Sequence, residues 1–319
     1  MRQTEERPGR LIRWGVFTTV ALAILTGCSA ETGGGATSPA PPTTSAAPSA
    51  PLGGSQPFES VEAGTGLVWA DEFDDDSPDR WKTWKRMEGA RGWGNEELQN
   101  YTSSPQNSFV ADGVLHIVVR KESSEDAEGN RSDYTSARLM TYETFRYGRV
   151  EARINVPSGY GLWSAFWMLG TEHTPGAPWA SRGELDMMEY VDKAMTLQSA
   201  AIGVDTEDNP WNWVVTRPDE EGGWSGQWHV YAVDWSPDAI TYSVDGSDLG
   251  TFRKSDLEEG NLWTFDNPSH IIVNVAVGGR WPSDDIEDAV LPAAMLVDYV
   301  RVYDSELRTV PESWMPKPP

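Results

Sequence analysis

The chain has 319 residues, enough for one large domain or two small ones. Its 25 Lys and Arg residues are outnumbered by 49 Asp and Glu residues, and the net charge of −24 argues against binding to nucleic acids or to an anionic membrane surface. The single cysteine, Cys28, excludes intramolecular disulfides and cysteine-based metal clusters. Sixteen Trp residues exceed the usual needs of a core, and because indole faces stack on sugar rings, the composition favours a carbohydrate ligand.

Residues 1–27 are predicted to be an export signal. Four arginines precede an apolar run, Trp14 to Leu25, that is too short to span a bilayer comfortably as a mature helix. The run leads into Leu25-Thr26-Gly27-Cys28, which resembles a bacterial lipobox, where cleavage before the cysteine follows attachment of a lipid to its thiol. We therefore expect an extracellular protein anchored to the bacterial cell membrane only through the lipid on Cys28. Residues 28–65 are rich in Ser, Thr, Ala, Pro and Gly, and they predict a disordered linker.

Beyond Gly66, short segments alternate apolar and polar residues and are separated by turn signals such as Asp112-Gly113 and Asp245-Gly246. No long segment has the 3.6-residue period of a helix. These features predict an all-β sandwich over residues 66–304, followed by a Pro-rich C-terminal tail over residues 305–319. The clearest strand patterns run from Val114 to Val119, Tyr147 to Val156, Trp228 to Trp235, Ile240 to Val244 and His270 to Val277.

Three acidic residues lie close together at Glu184, Asp186 and Glu189. On a regular strand the first two share a face and Glu189 points away, while a helix would place Glu184 opposite the other two. One extra residue in a β-bulge around Met187 and Met188 would bring all three to one face, and bulges are common beside active sites. The spacing alone leaves a charged surface, a metal site and a catalytic site open.

The acidic segment resembles the motif Glu-x-Asp-x-x-Glu of glycoside hydrolase family 16 in its bulged, laminarinase-like form. The likeness spans residues 66–304, with similar segments in the same order. These are Trp93 to Thr102, Tyr134 to Arg138, Tyr147 to Arg153, Gly161 to Gly170, Trp228 to Trp235, Asn274 to Pro282 and Val297 to Tyr303.

The resemblance implies a β-jelly-roll sandwich with a concave cleft and a monomeric enzyme that cleaves β-1,3-glucan within the polysaccharide chain. Glu184 is then the nucleophile that forms a covalent glycosyl-enzyme, Glu189 the general acid and base, and Asp186 the residue that maintains the protonation state of Glu184. Catalysis needs no cofactor, and configuration is retained. The implied substrate-binding residues are Trp179, Trp163, Asn95, Arg138 and Trp281.

Two further features of the family bear on the prediction. Laminarinase-like members often hold a structural calcium ion, and Glu72 and Asp298 match the positions that supply its carboxylates. Members of this type also carry a histidine near the reacting sugar, whereas this sequence has Gln198 to Ile202 at that place. The missing histidine favours a β-galactan hydrolase of the same family as the alternative to the glucanase. An envelope transglycosylase, which uses the same covalent intermediate, and a catalytically silent glycan-binding lipoprotein also stay open.

Overall fold

The structure is a computed structural model. It describes residues 10–11, 66–75, 81–171, 177–191, 196–218, 223–282 and 284–309. The predicted lipidation site Cys28, the predicted linker and most of the predicted signal peptide lie outside the described residues. So does the part of the predicted tail beyond residue 309.

The described residues form two ten-stranded sheets and four short 3-10 helices. The first sheet has the order β1-β14-β13-β12-β11-β18-β8-β3, with β9 paired to β18 and β20 to β9. The second has the order β17-β16-β15-β10-β19-β6-β7-β4, with β2 paired to β19 and β5 to β6. The strands are β1 Arg10–Leu11, β2 Leu67–Asp71, β3 Trp84–Met87, β4 Gln99–Tyr101, β5 Ser108–Ala111, β6 Val114–Glu125, β7 Arg131–Ser136, β8 Arg138–Thr141, β9 Glu143–Arg146, β10 Gly148–Asn155, β11 Leu162–Gly170, β12 Glu184–Val191, β13 Thr196–Val204, β14 Pro210–Pro218, β15 Trp228–Trp235, β16 Ala239–Val244, β17 Ser247–Arg253, β18 Ser269–Val277, β19 Ala293–Tyr303 and β20 Glu306–Thr309; the helices are Gly92–Gly94, Trp179–Arg182, Lys254–Asp256 and Asp288–Val290.

The predicted all-β fold is confirmed, and each of the five segments with clear alternation lies in a strand, namely β6, β10, β15, β16 and β18. Two tight hairpins follow the predicted turn signals. Asp112-Gly113 connects β5 to β6, and Asp245-Gly246 connects β16 to β17, with positive φ at all four residues. These are the residue types that tolerate the left-handed conformation needed in a two-residue hairpin turn.

The main hydrophobic core is formed by alternate residues of the strands in both sheets. In β18, for example, Ile271, Val273 and Val275 are fully buried in this core. The residues between them, such as Asn274, point to the opposite side of the first sheet. We call that side the cleft face. In β11 the same alternation places Phe166 and Met168 in the core, while Trp163 and Trp167 lie on the cleft face.

Two short strands depart from the predicted domain limits. Glu306–Thr309 pairs with β9, so the predicted end of the domain at residue 304 is too early. The exposed side chains of this edge strand, including Leu307, give no alternation from which it could be recognised. Arg10–Leu11 falls within the predicted signal peptide and pairs with β14. Among the described residues, no helix is long and apolar enough to cross a membrane.

Candidate active site

A β-bulge interrupts β12 in the middle of the acidic segment. Against β13, Asp186 is opposite Ala200 and Glu189 is opposite Gln198, so three steps along β12 match two along β13. The pairing with β11 also shifts at this point and leaves Met187 without a register partner. The bulge predicted around Met187 and Met188 is therefore confirmed.

The bulge separates the acids from the apolar residues of the same strand. Met187 and Met188 are both fully buried in the core. Glu184 and Asp186 are two residues apart on one face, about 7 Å along the strand, and the bulge returns Glu189 to that face. The three acids thus share the cleft face in the middle of the sheet, between β11 and β13.

The start of β12 is fixed by a glycine. Gly183 adopts φ 78°, and a β carbon at this position would lie 2.4 Å from the carbonyl oxygen of Thr264. A side chain would therefore displace the backbone immediately before Glu184. The preceding 3-10 helix begins at Trp179, whose side chain is 49 % exposed. An exposed indole beside the acidic strand is free to stack on a sugar.

Both carboxylate oxygens of Glu189 accept hydrogen bonds from side chains on the flanking strands. Trp163 Nε1 donates to Oε1 over 3.1 Å, and Gln198 Nε2 donates to Oε2 over 3.2 Å. Neither donor carries a charge. The carboxyl group is therefore oriented from two sides. Because neither donor is a cation, neither contact is an ion pair that would lock Glu189 in its ionised form.

Burial of three acids on one face raises the pKa of each. Burial raises the pKa of Glu184 to about 8, repulsion from Glu189 adds to the shift, and Arg138 opposes it. Burial raises the pKa of Glu189 to about 7, against the effect of its two hydrogen bonds. Burial and repulsion from both glutamates raise the pKa of Asp186 well above its usual range. Because each carboxyl group affects the protonation of its neighbours, the three titrate together rather than independently. The raised pKa of Glu189 keeps a proton available near neutral pH, as a general acid requires.

Asp186 is the most confined of the three acids, with 3 % of its surface exposed. Within the part of the chain that the structure describes, its Oδ2 atom is buried and makes no hydrogen bond. An ionised carboxylate in that position would be strongly disfavoured. In its protonated form Asp186 supplies a hydrogen-bond donor on the same face as Glu184.

Arg138 on β8 places a cation beside the acids. Its guanidinium lies between two indoles, 4.7 Å from the Trp93 ring centroid and 4.6 Å from that of Trp167. Its attraction to Glu184 favours the ionised form of that carboxyl group. The Nε atom of Arg138 is buried and has no hydrogen-bond partner in the described structure.

A hydrogen-bonded network on the cleft face connects the surroundings of Arg138. Trp167 Nε1 donates to Asn274 Oδ1 over 2.8 Å, and Asn274 Nδ2 donates to the hydroxyl of Tyr101 over 3.0 Å. Glu97 is also buried here and accepts a hydrogen bond of 2.7 Å from Gln99 Nε2. Burial raises the pKa of Glu97, while Gln99 and Arg138 lower it. The sequence did not indicate this network, because its members come from strands that are distant along the chain.

The other predicted substrate-binding residues lie in the same region. The rings of Trp163 and Trp281 meet edge to face with centroids 5.3 Å apart. Asn95 donates a 3.3 Å hydrogen bond to Glu97, and its carbonyl oxygen accepts one from the backbone of Arg280. The structure therefore places Trp163 and Trp281 together beside Glu189. It places Asn95 in the hydrogen-bonded network of Glu97.

The predicted calcium ligands are already engaged by arginines. Glu72 accepts two hydrogen bonds from Arg301, at 2.8 and 2.9 Å, and Asp298 accepts one of 2.8 Å from Arg153. Among the described residues no group of three His, Cys, Asp or Glu side chains could hold a metal ion. As arranged here, the two carboxylates do not fit a calcium site.

The fold and the site define a class of protein: a β-jelly-roll sandwich with acidic and aromatic side chains on one face. The family model of the glycosyl hydrolases family 16 matches residues 95–301, and the chain belongs to that family. It is a glycoside hydrolase.

The relatives that it resembles include glucanases. The chain is 38 % identical over 252 residues to a beta-glucanase of Rhodothermus marinus, covering 74 % of this chain and 84 % of the relative. An endo-beta-1,3-glucanase structure from Pyrococcus furiosus is similar with a TM-score of 0.66 and 36 % identity, over 75 % of this chain and 94 % of the other. The laminarinase catalytic domain from Thermotoga maritima gives a TM-score of 0.66 and 37 % identity, over 74 % and 97 %.

The raised pKa of Glu184 predicts how stability depends on pH. Because this carboxyl group binds its proton more tightly in the folded chain (pKa about 8) than at its ordinary value of 4.5, the folded state loses stability as the pH rises between these values. Glu184→Gln removes this titration. We expect the variant to gain at least about 1 kcal/mol over the wild type between pH 5 and pH 8, or roughly 2–4 °C in Tm.

Thermal unfolding at the two pH values measures this difference. Glu259→Gln, at an exposed glutamate in a turn, is the matched control and should follow the wild type. Equal Tm changes with pH in the wild type and Glu184→Gln would contradict the predicted titration.

Proposed function

We propose that the protein is a retaining, endo-acting β-1,3-glucanase that hydrolyses laminarin-like glucans. The observation that carries this proposal is the bulge at Met187, which aligns Glu184, Asp186 and Glu189 on the cleft face. A retaining glycosidase requires two carboxyl groups on either side of the scissile bond, one ionised and one protonated. The similarity to glucanases supports the choice of substrate.

In the first step, the carboxylate of Glu184 attacks the anomeric carbon of the sugar. A bond forms between that carbon and the carboxylate oxygen, and the glycosidic carbon–oxygen bond breaks. Glu189 gives its proton to the departing oxygen. Arg138 lowers the pKa of Glu184, against the burial that raises it to about 8, and so favours the carboxylate needed for the attack. Asp186 is assigned the role of keeping Glu184 in its working protonation state.

In the second step, a water molecule attacks the anomeric carbon of the glycosyl-enzyme. Glu189, now ionised, accepts a proton from that water, and the ester bond to Glu184 breaks. The enzyme returns to its starting protonation state. Two successive inversions at the anomeric carbon give net retention of configuration.

The charge of the site favours a neutral polysaccharide. The cleft face holds three acidic side chains in a chain of net charge −24, which repels sulfated or carboxylated glycans. The aromatic side chains at the site, Trp163, Trp281 and the exposed Trp179, suit the uncharged faces of pyranose rings. Neutral glucan satisfies both conditions.

The proposed activity is tested with purified protein on laminarin, mixed-linkage glucan, agarose, carrageenan and β-1,3-galactan. New reducing ends should appear with laminarin and fall by at least about 10³-fold in Glu184→Ala, which lacks the nucleophile. Proton NMR of the first laminarin product should show the β-anomer.

Different results would identify the alternatives. Turnover of β-1,3-galactan without turnover of laminarin would point to a galactan hydrolase, for which the absence of a histidine in the stretch Gln198 to Ile202 is the relevant observation. Products longer than the substrate would indicate a transglycosylase. Binding without turnover on all five polysaccharides would contradict the enzymatic proposal.

We also propose that the protein is held at the outside of the cell membrane through a lipid on Cys28. The support is the sequence Leu25-Thr26-Gly27-Cys28 after an apolar run, together with the Pro- and Ser-rich segment that follows it. Such a segment would let an anchored enzyme reach polysaccharide beyond the membrane.

Cys28→Ser removes the thiol to which the lipid would be attached. We expect the wild type to partition into the detergent phase of a membrane extract and the variant to be lost from it. Thr26→Ser, which leaves the cysteine in place, is the control. A Cys28→Ser protein that stays in the membrane fraction would contradict lipid anchoring.

A further inference from the structure

Gln198 lies beside the acidic cluster, in the stretch Gln198 to Ile202 that lacks the histidine implied by the family resemblance. It lies on β13 directly opposite Glu189 and next to the bulge. Its Nε2 atom donates a hydrogen bond of 3.2 Å to Glu189 Oε2. The side chain therefore contacts the acid/base carboxyl itself.

Glu189 has an oriented donor on each side. Trp163 Nε1 holds Oε1 from β11, and Gln198 holds Oε2 from β13. One lone pair of each oxygen is thereby occupied, and the remaining lone pairs can carry the acid proton. The two donors together fix the plane of the carboxyl group, which a general acid needs in order to direct its proton at the leaving oxygen.

An amide and an imidazole differ in what they add to the site. The amide of Gln198 is neutral and keeps its N–H donors across the working pH range, whereas a histidine changes its charge near neutral pH. Because glutamine does not titrate, the residue on β13 that contacts Glu189 adds no second titration to that of Glu189.

We propose that Gln198 is the positioning residue of the acid/base carboxyl, holding Glu189 in its working orientation through an uncharged hydrogen bond. This inference rests on the proposed function, in which Glu189 is the general acid and base.

Several titratable and charged groups also act on the acidic cluster. Burial and the two donors govern the pKa of Glu189 itself. The groups around it are Glu184 and Asp186 on β12, Arg138 on β8 and Tyr242 on β16, whose hydroxyl donates to the carbonyl oxygen of Ala200. Gln198→Met leaves these side chains in place and adds no charge that acts on them, so its effect on the titration of Glu189 reports the loss of the amide.

The test is a series at one position in the full-length protein. Gln198→Met keeps most of the volume and removes the donor, and Gln198→Glu keeps the length but presents a carboxylate. The control is Thr216→Val, on the strand next to Gln198 and opposite it in register. The pKa of Glu189 is read from the side-chain carboxyl carbon by NMR of protein labelled at glutamate, with Glu189→Gln to assign the resonance.

Loss of the donor should raise the pKa of Glu189 by about one unit in Gln198→Met, because a hydrogen bond to a charged group contributes about that much. Gln198→Glu should raise it further through repulsion, and Thr216→Val should leave it unchanged. The basic limb of kcat/KM on laminarin should move in the same order, and kcat of Gln198→Met should fall about tenfold. Unchanged Glu189 titration in both Gln198 variants would overturn the proposal.

Two comparisons distinguish a positioning role for Gln198 from a purely structural one and from a failure of the proposed reaction. A purely structural role would lower Tm or activity without moving the titration of Glu189, and that result also overturns the proposal. Wild-type turnover of laminarin tests the proposed function separately, because the NMR titration requires no activity. If the Gln198 variants shift the titration while the wild type shows no turnover, the contact is supported and only the proposed reaction is contradicted.

Discussion

The extra residue in β12 is the constraint on which the rest of the site depends. A strand with strict alternation would place Glu189 among the core side chains and one of the methionines on the cleft face. With Met187 inserted, both methionines are buried and all three acids face the cleft. The bulge thus lets one strand contribute to the hydrophobic core and to the reaction centre within six residues. The cost is a local break in the hydrogen-bond ladder of β12. Regular pairing with β11 and β13 continues on both sides of the bulge.

The acids are kept reactive by opposing electrostatic effects. Burial favours their neutral forms, whereas Arg138 and the donors Trp163 and Gln198 favour ionisation. Arg138 is itself flanked by two indoles and is attracted by the buried Glu97 as well as by Glu184. Because hydrogen bonds connect Trp167 to Asn274 and Tyr101, a change in this network would also alter the position of the cation.

The sequence is sufficient for the all-β class, for the strands with clear alternation and for the bulge. The spacing of Glu184, Asp186 and Glu189 does not place all three on one face of a regular strand or helix. This mismatch is what locates the bulge between Asp186 and Glu189 in the sequence. Strand β20 escapes prediction because an exposed edge strand carries no alternation. Glu97 and Tyr101 cannot be recognised as part of the site from the sequence, since only the tertiary fold brings them to Arg138. The predicted calcium ligands Glu72 and Asp298 match the family by position, but the arginines that pair with them, Arg301 and Arg153, come from distant parts of the chain.

The role of Gln198 is also beyond the reach of the sequence. In the sequence Gln198 only begins the stretch to Ile202 that lacks the family's histidine, whereas the register across the bulge is what brings its amide to Glu189. A residue of the stretch that weakens the resemblance thus supplies a contact of its own. The carboxyl group of Glu189 is held by neutral donors on both sides, whereas the cation Arg138 acts on Glu184.

The central claim is that the bulge presents Glu184 as the nucleophile of a retaining reaction. The most direct measurement is mass spectrometry of the protein after incubation with a 2,4-dinitrophenyl 2-deoxy-2-fluoro-β-laminaribioside, which slows hydrolysis of the glycosyl-enzyme. The account predicts a mass increase of one fluorinated disaccharide, and peptide mapping should place it on Glu184. A label on Glu189 or Asp186, or an unlabelled protein that still hydrolyses laminarin with inversion, would contradict it.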